Sequence, residues 1–389
     1  MKKQYLILGL LLASFQFAQA QFSLEGEFRP RSEYFGNGGN FTGGSFPAQT
    51  ATNADEGFVR TTVRAALKAT YTTETYKVHM NFQEVFAFGD RQQIATDGNG
   101  NFRVQEAWAD LKLGEFSTLK IGRQQLSYDD QRILGGLGWA QQARTHDALV
   151  YKYKKDGYNL DIGVSLNTTT DEVYNNVTLF TYRDMGFVRA NKKFGKLNFS
   201  ALALLNTFQN GTTVSASGCD KATLLTAGFH ADLKAGVLGL SSNVFLQEGN
   251  RMVGSYQDVS GAYLASLDAT LKATDKVTFL AGIEAISGTK DDTAAFFPLY
   301  GTNHKFNGLM DRFYVGNHGN AGGLIDLNIG AKFKLPKGYS LTAKFHNFKE
   351  QSLTKESLGN ELDLVVAKGF KGFKLVTGYS QFFEPSSVT

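Results

Sequence analysis

The sequence predicts an all-β fold, a transmembrane barrel of antiparallel strands. Several segments alternate apolar and polar residues over nine to thirteen positions, and short turns alternate with long connections. Strands of about ten residues with one apolar face are typical of outer-membrane barrels, whereas strands of globular proteins are usually about five or six residues long. The composition agrees, because 42 glycines and only 5 prolines suit many strands and turns.

The first twenty residues have the pattern of a cleaved secretory signal. Lys2 and Lys3 precede the apolar run LILGLLLA, and Ala18-Gln19-Ala20 provides a cleavage signal. The run is too short to span a bilayer as a helix, which needs roughly 20 residues. We therefore predict a signal peptide at residues 1–20 and a barrel domain at residues 21–389.

Charge and cysteine content exclude some classes of function. Removing the signal also removes two lysines, so the mature chain is close to neutral and gives no reason to expect nucleic-acid binding. The single cysteine, Cys219, cannot form an intramolecular disulfide, and its polar surroundings predict a loop thiol.

Strand alternation defines the predicted lipid face. Positions 59, 61, 63, 65, 67, 69 and 71 read V, T, V, A, L, A, Y, and the residues between them read R, T, R, A, K, T. Residues 158–166, 225–233 and 325–335 alternate in the same way. Aromatic residues near strand ends predict an interfacial girdle: Tyr71, Tyr76, Tyr153, Tyr158, Tyr339, Phe370 and Phe373.

The turn pattern sets the strand count. Short turns are predicted at 73–75, 114–117, 154–157, 195–196, 236–237, 274–275, 336–338 and 369–372. Long connections are predicted at 36–56, 89–102, 124–146, 168–183, 207–222, 248–260, 288–322 and 349–360. This gives seventeen strands, the last at 373–383. Because bacterial single-chain barrels have even numbers of strands, we expect eighteen, with the closing strand missing from a C-terminally truncated chain. The alternative is a miscount, such as a short strand overlooked near 173–181.

Strand parity places most of the early arginines inside the predicted barrel. Phe22, Leu24 and Phe28 alternate with Glu25, Glu27, Arg29, Arg31 and Glu33, and Val59, Val63 and Leu67 alternate with Arg60, Arg64 and Lys68. An arginine facing lipid at the midplane costs about 2–4 kcal/mol, so the charged set is expected to face inward. Carboxylates such as Glu106 and Asp110 are expected nearby.

Two functions fit such a wall of arginines. Inward guanidinium groups attract anions, select against cations and can hold a carboxylate in a bidentate manner. Arginine–carboxylate ladders can also simply brace a barrel. Both interpretations remain open.

The stretch GRQQLSYDDQRILGGLGWAQQARTHDALV, residues 122–150, interrupts the alternation. Its GGLG cluster lacks the lysine and hydroxyl residue of a phosphate-binding loop. Apolar Ile133, Leu134, Leu137 and Trp139 lie beside Arg132 and two aspartates. Such residues need a covering surface, and the inner rim is the nearest one. We therefore predict that residues 124–143 fold inward and narrow the channel.

An outer-membrane enzyme is the competing class. His79, His230 and His346 fall at inward positions, but no serine or aspartate motif accompanies them and no metal-ligand spacing is present. Residues 97–101, DGNGN, lack the full pattern of a calcium loop. We predict no enzymatic activity, no cofactor and no metal.

The segments FRPRSEY, VRTTVRAALKATY, EAWADLK, LKIGRQQLSYDDQRILGGLGW and RTHDALVYKY resemble the alginate export outer-membrane porins, most strongly over residues 22–154. The resemblance implies a monomeric, eighteen-stranded barrel with an arginine-rich, anion-selective pore in the outer membrane of a Gram-negative bacterium. It implies contact with membrane lipid and passage of an anionic saccharide, with periplasmic feeder proteins as a further class of partner.

The expected function is thus a passive channel for anionic solutes such as uronate polymers, or alternatively a broad-specificity porin with a structural arginine ladder. The candidate pore-lining or substrate-binding residues are Arg29, Arg31, Arg60, Arg64, Glu106, Asp110, Arg123, Tyr128, Arg132 and Arg144.

Overall fold

The fold is a single antiparallel sheet of seventeen strands. The computed structural model describes residues 21–35, 57–90, 102–167, 182–210, 220–253, 255–290, 292–313, 322–351 and 356–385. The predicted signal peptide, Cys219, residues 97–101 and the segment 173–181 lie outside these ranges. The strands are β1 (Gln21–Phe35), β2 (Phe58–Thr72), β3 (Tyr76–Ala87), β4 (Arg103–Lys112), β5 (Ser117–Gln124), β6 (His146–Lys155), β7 (Tyr158–Leu166), β8 (Asp184–Phe194), β9 (Leu197–Asn210), β10 (Asp220–Ala235), β11 (Leu238–Val253), β12 (Ser255–Lys272), β13 (Val277–Ser287), β14 (Gly323–Lys334), β15 (Tyr339–Lys349), β16 (Ser357–Gly369) and β17 (Lys374–Phe383).

Each strand pairs antiparallel with the next one along the chain. The predicted fold class and the seventeen visible strands are confirmed. Within the described ranges, β1 pairs only with β2, and β17 pairs only with β16. No helix in the described part of the chain is long and apolar enough to cross a membrane.

The outer face follows the predicted alternation. Phe28 on β1 is 71% exposed, and Leu225 and Phe229 on β10 are also exposed, as lipid-facing side chains should be. Val63 is an exception, because it is fully covered although it lies on the outer face of β2. Its cross-strand neighbours are Pro30 and Phe86.

All the predicted short turns join neighbouring strands. Two of the predicted long connections overlap with strands, and one of them, 248–260, is almost entirely strand. β9 and β10 extend into 207–222, and β11 and β12 extend through almost all of 248–260. The hairpin of β11 and β12 was predicted as a loop because its residues at 248–260 are mostly polar. It contains a register shift between Gln247 and Gly249. Gly249 has φ +114°, and a β-carbon there would lie 2.2 Å from the Thr223 carbonyl oxygen, so glycine is required.

The hydrophobic core lies inside the sheet, toward the ends of the strands that carry the long connections. It joins inward wall residues such as Leu204, Leu264 and Phe348 to the two connections that fold over them. We call residues 125–145, between β5 and β6, inner loop A, and residues 288–313, between β13 and β14, inner loop B.

Candidate functional site

The arginines of β1 and β2 lie side by side on the inner wall. Arg29 is the cross-strand partner of Arg64, and Arg60 is the partner of Glu33. Cross-strand partners share one face of a sheet, and the opposite face carries the exposed Phe28. The inward direction inferred from strand parity is therefore observed.

Two of these arginines hold the backbone of inner loop A. Arg29 donates to the carbonyl oxygens of Gly138 (2.6 Å), Trp139 (3.0 Å) and Ala140 (3.1 Å). Arg64 donates through Nε to the Gln141 carbonyl oxygen at 2.6 Å and through Nη2 to that of Ala140. Arg64 is only 7% exposed, so its guanidinium is occupied by the loop.

Arg31 lies at the junction of β1 and both inner loops. Its Nη1 donates to the Trp139 carbonyl oxygen at 3.0 Å, and its guanidinium lies 4.6 Å from the centroid of the Trp139 ring. His304 of inner loop B stacks on Trp139 at 3.5 Å between ring centroids. Burial raises the pKa of Asp311, while its hydrogen bond with His304 Nδ1 at 2.9 Å opposes that rise.

Arg132 anchors inner loop A to the opposite wall. The side chain is almost completely buried and forms a bidentate pair with Glu284 on β13, at 2.9 Å and 2.5 Å. It also donates to Asn303 Oδ1 at 2.8 Å and to Asn307 Oδ1 at 3.2 Å. A buried guanidinium with this many acceptors is a structural anchor.

Tyr128 and Asp129 attach the start of the loop to β8. Arg189 donates to Asp129 Oδ1 at 2.6 Å, and its guanidinium lies 5.1 Å from the Tyr128 ring centroid. Tyr128 also packs on Phe187 at 5.6 Å. Burial raises the pKa of Tyr128, so the phenol stays neutral.

Inner loop B is attached to acidic side chains of β16. The backbone N–H of Met310 donates to Glu361 Oε1 at 2.8 Å, and that of Leu309 donates to Asp363 Oδ2 at 3.2 Å. Gly308 permits this approach, because a β-carbon there would lie 2.6 Å from the Glu361 carboxylate. One wall thus binds carbonyl oxygens of loop A and another binds amide groups of loop B.

The two loops also bind each other. Leu134 and Tyr300 form a short parallel bridge, in which Gly135 N donates to the Tyr300 carbonyl oxygen at 2.8 Å. Arg144 Nη1 donates to the Gly301 carbonyl oxygen at 3.0 Å. Tyr300 is fully buried, and that burial raises its pKa well above the ordinary value. The prediction that residues 124–143 fold inward is confirmed, whereas their effect on the channel is still a prediction.

Arg123 is a correction to the predicted site. It lies on the outer face of β5, continuing the row of Leu119 and Ile121, and forms a bidentate pair with Asp147 of β6 at 2.8 Å and 2.9 Å. About half of each side chain is exposed. The resemblance placed Arg123 in the pore, but the two-residue period of β5 directs it away from the lumen.

Glu106 and Asp110 lie on the inner face of β4, and two lysines that were not predicted as site residues lie beside them. Asp110 is the cross-strand partner of both Lys77 on β3 and Lys120 on β5. Among the described residues, neither ammonium group forms an ion pair with a carboxylate. Strand alternation alone places Lys77 and Lys120 on the inner face, so the sequence contained the signal for them. The predicted set of basic site residues included only arginines.

Comparisons with known proteins agree with this fold. The sequence model of the alginate export family matches residues 45–369. No curated protein matches the chain in sequence. In the described part of the chain, no group of three His, Cys, Asp or Glu side chains is arranged to hold a metal ion.

Solved structures match at low sequence identity. A BenF-like porin from Pseudomonas fluorescens Pf-5 superposes with a TM-score of 0.59 at 13% identity, covering 94% of this chain and 93% of that one. Pseudomonas aeruginosa OpdK with vanillate gives 0.58 at 12% identity, with 94% of both chains covered. Pseudomonas aeruginosa OccK2 (OpdF) in complex with glucuronate gives 0.58 at 12% identity, covering 94% and 92%. The shared feature is the fold of outer-membrane porins.

Proposed function

The chain belongs to the alginate export family and has the fold of a Gram-negative outer-membrane porin, and from that premise we propose that it conducts anionic solutes, in particular uronate-type poly- or oligosaccharides. The proposed passage is passive, in keeping with the porin fold of the structures that the chain resembles. The related structures containing glucuronate and vanillate show carboxylates bound to proteins of this fold.

One observation carries the proposal: acidic and basic groups of the inner wall differ in exposure. On β13, β14 and β16, Glu284, Asp326, Glu361 and Asp363 are buried and bonded to inner-loop or wall groups. The cations of β1 to β6 remain partly or fully exposed: Arg31, Arg60, Lys68, Lys77, Lys120 and Lys152. The inward carboxylates of the same strands are also at least partly exposed: Glu25, Glu27, Glu33, Glu106 and Asp110. The lumenal cations outnumber them, and this excess of positive charge favours anions.

Reversal potentials across a planar bilayer in a salt gradient test this proposal. Replacing Arg31 and Arg60 by glutamate should shift the reversal potential toward cation selectivity. The control is Arg123→Glu, which makes one such charge reversal on the outer face and should leave selectivity unchanged; each lumenal single variant, Arg31→Glu or Arg60→Glu, is compared with it. An equal shift in the control, or no shift in the lumenal variant, would contradict the proposal.

A second candidate function is a broad-specificity porin for small solutes. The engagement of Arg29, Arg64 and Arg132 with loop backbone and Glu284 favours it, because those arginines serve as braces. Liposome swelling distinguishes the two functions. Faster entry of glucuronate than of glucose supports anion transport, whereas equal rates support the broad-specificity porin.

A further inference from the structure

Trp108 on β4 lies within a group of cations on the inner wall. The Lys120 ammonium is 3.7 Å from the centroid of its ring and the Lys77 ammonium is 5.6 Å away. His79 stacks on the indole at 5.0 Å with an interplanar angle of 22°. The indole is held in orientation, because Trp108 Nε1 donates to Glu106 Oε2 at 3.1 Å.

The strand register builds this cluster without help from the inner loops. His79 and Gly122 are the cross-strand partners of Trp108, and Lys77 and Lys120 flank Asp110 in the next row toward the short turns. Because Gly122 has no side chain, the stem of Lys120 can reach the indole. The cluster therefore lies on the side of inner loop A that faces the short, periplasmic turns.

The ammonium groups of Lys77 and Lys120 form no close salt bridge with a carboxylate of the described residues, although Glu106 and Asp110 attract Lys120 from a longer distance. A cation–π contact is worth less than a close ion pair with a desolvated carboxylate. Asp110 Oδ1 is buried and has no hydrogen-bond partner among the described residues. The wall thus offers two cations for a carboxylate, an aromatic surface, and acidic oxygens that accept from hydroxyl groups.

We propose that Trp108, Lys77 and Lys120 form a second binding subsite, below the inner loops, for a sugar ring that carries a carboxylate. The proposal rests on the anion-channel function proposed above and adds a place where the solute pauses. The ligand carboxylate binds the two ammonium groups and draws Lys120 away from the indole. The hydroxyl groups of the ring donate to Glu106 and Asp110.

Fluorescence of the full chain tests this subsite directly, because Trp108 and Trp139 are its two tryptophans. In Trp139→Phe, titration with sodium glucuronate should give a saturable change in emission. Glucose, and sodium chloride at matched ionic strength, should give none. The change should disappear in Trp139→Phe combined with Lys77→Met and Lys120→Met. An emission change that survives loss of both lysines, or no change at all, would overturn the subsite.

Current blockade provides a second test that keeps both tryptophans. In a planar bilayer, the affinity for glucuronate should fall at least about tenfold in Lys77→Met/Lys120→Met, as expected for loss of a charge-assisted contact. Lys276→Met, which changes a lysine in a short turn, should leave the affinity unaltered. Unchanged affinity in the double variant would reject the subsite.

The reversal potential of the unaltered protein separates the two proposals. Anion selectivity without a Trp108 response would remove this subsite and leave the channel function standing. Absence of anion selectivity would remove the channel function itself.

Discussion

Arg60 and Arg64 share one face of β2 but differ in surroundings. Arg64 is buried and donates to loop carbonyl oxygens, whereas Arg60 is only partly buried. Their substitution should therefore affect different properties of the channel, although the change in charge is the same.

We predict that Arg64→Gln raises single-channel conductance and current noise more than Arg60→Gln does. Loss of the Arg64 guanidinium leaves the Gln141 carbonyl oxygen without its donor, at about 1–3 kcal/mol for a buried group, and leaves the Ala140 carbonyl oxygen to Arg29 alone among the wall arginines. Single-channel recordings in symmetrical salt provide the measurement. Equal conductance in both variants would show that Arg64 does not retain the loop.

The Arg132–Glu284 pair gives a stability prediction. Arg132→Met should destabilise the native barrel by about 3–5 kcal/mol, because it leaves the Glu284 carboxylate buried without its cation. Adding Glu284→Met should recover much of the loss, since the unpaired charge is then gone. The temperature at which the band of the folded barrel disappears on a gel measures both effects. An Arg132→Met variant as stable as the parent would contradict the prediction.

Residue orientation on the strands was accessible from the sequence, and Arg123 shows how it can be missed. Leu119, Ile121 and Arg123 share one parity in LKIGR, so the outer position could have been inferred from alternation alone. Arg123 was instead predicted as a pore residue because of the resemblance to the alginate export porins. The partner of Arg132, by contrast, is 152 positions away, and nothing local indicates it.

The positions of the inner loops depend on which strands carry apolar residues on their inner face. β9 and β10 carry apolar residues on both faces near the long connections, as at Leu204–Leu205 and Leu224–Leu225. A strand that is apolar on both faces is covered on both sides, so this pattern signals a cover inside the barrel. It indicates that a cover exists but not which connection supplies it, and inner loop B was accordingly not predicted to fold inward.

We predict that replacing residues 128–141 by a short Gly-Ser bridge raises single-channel conductance and weakens blockade by charged saccharides. The deletion removes the segment held by Arg29, Arg64 and Arg132. An equal Gly-Ser replacement within the predicted loop 36–56 is the control. Conductance that stays at the parent value would mean that inner loop A does not limit flow.

At the scale of the whole molecule, the first and last described strands each leave one edge without a partner within the described residues. In a meander, strands an even number of positions apart run parallel, so β1 and β17 point the same way. Backbone groups at a lipid-exposed edge are too costly to leave unsatisfied. The seventeen strands followed from periodicity, whereas closure depends on distant pairing that periodicity does not specify.

We predict that one more antiparallel strand lies between β17 and β1. In a Cys219→Ser background, cysteines at Leu24 and Leu375, which both lie on the outer face, should then fail to form a disulfide, because an intervening strand places them about 10 Å apart. Efficient cross-linking would instead indicate that β1 and β17 pair directly.

Inner loop A is fastened through its peptide carbonyls, and this affects how the protein can evolve. Arg29 and Arg64 bind main-chain oxygens of residues 138–141, which every amino acid provides. Side chains at Gly138, Trp139 and Ala140 can therefore be exchanged without removing those acceptors. Substitutions at these positions can change the side chains that a passing solute contacts while the hydrogen bonds from Arg29 and Arg64 persist. The solute preference of the channel can therefore change by single substitutions without release of inner loop A.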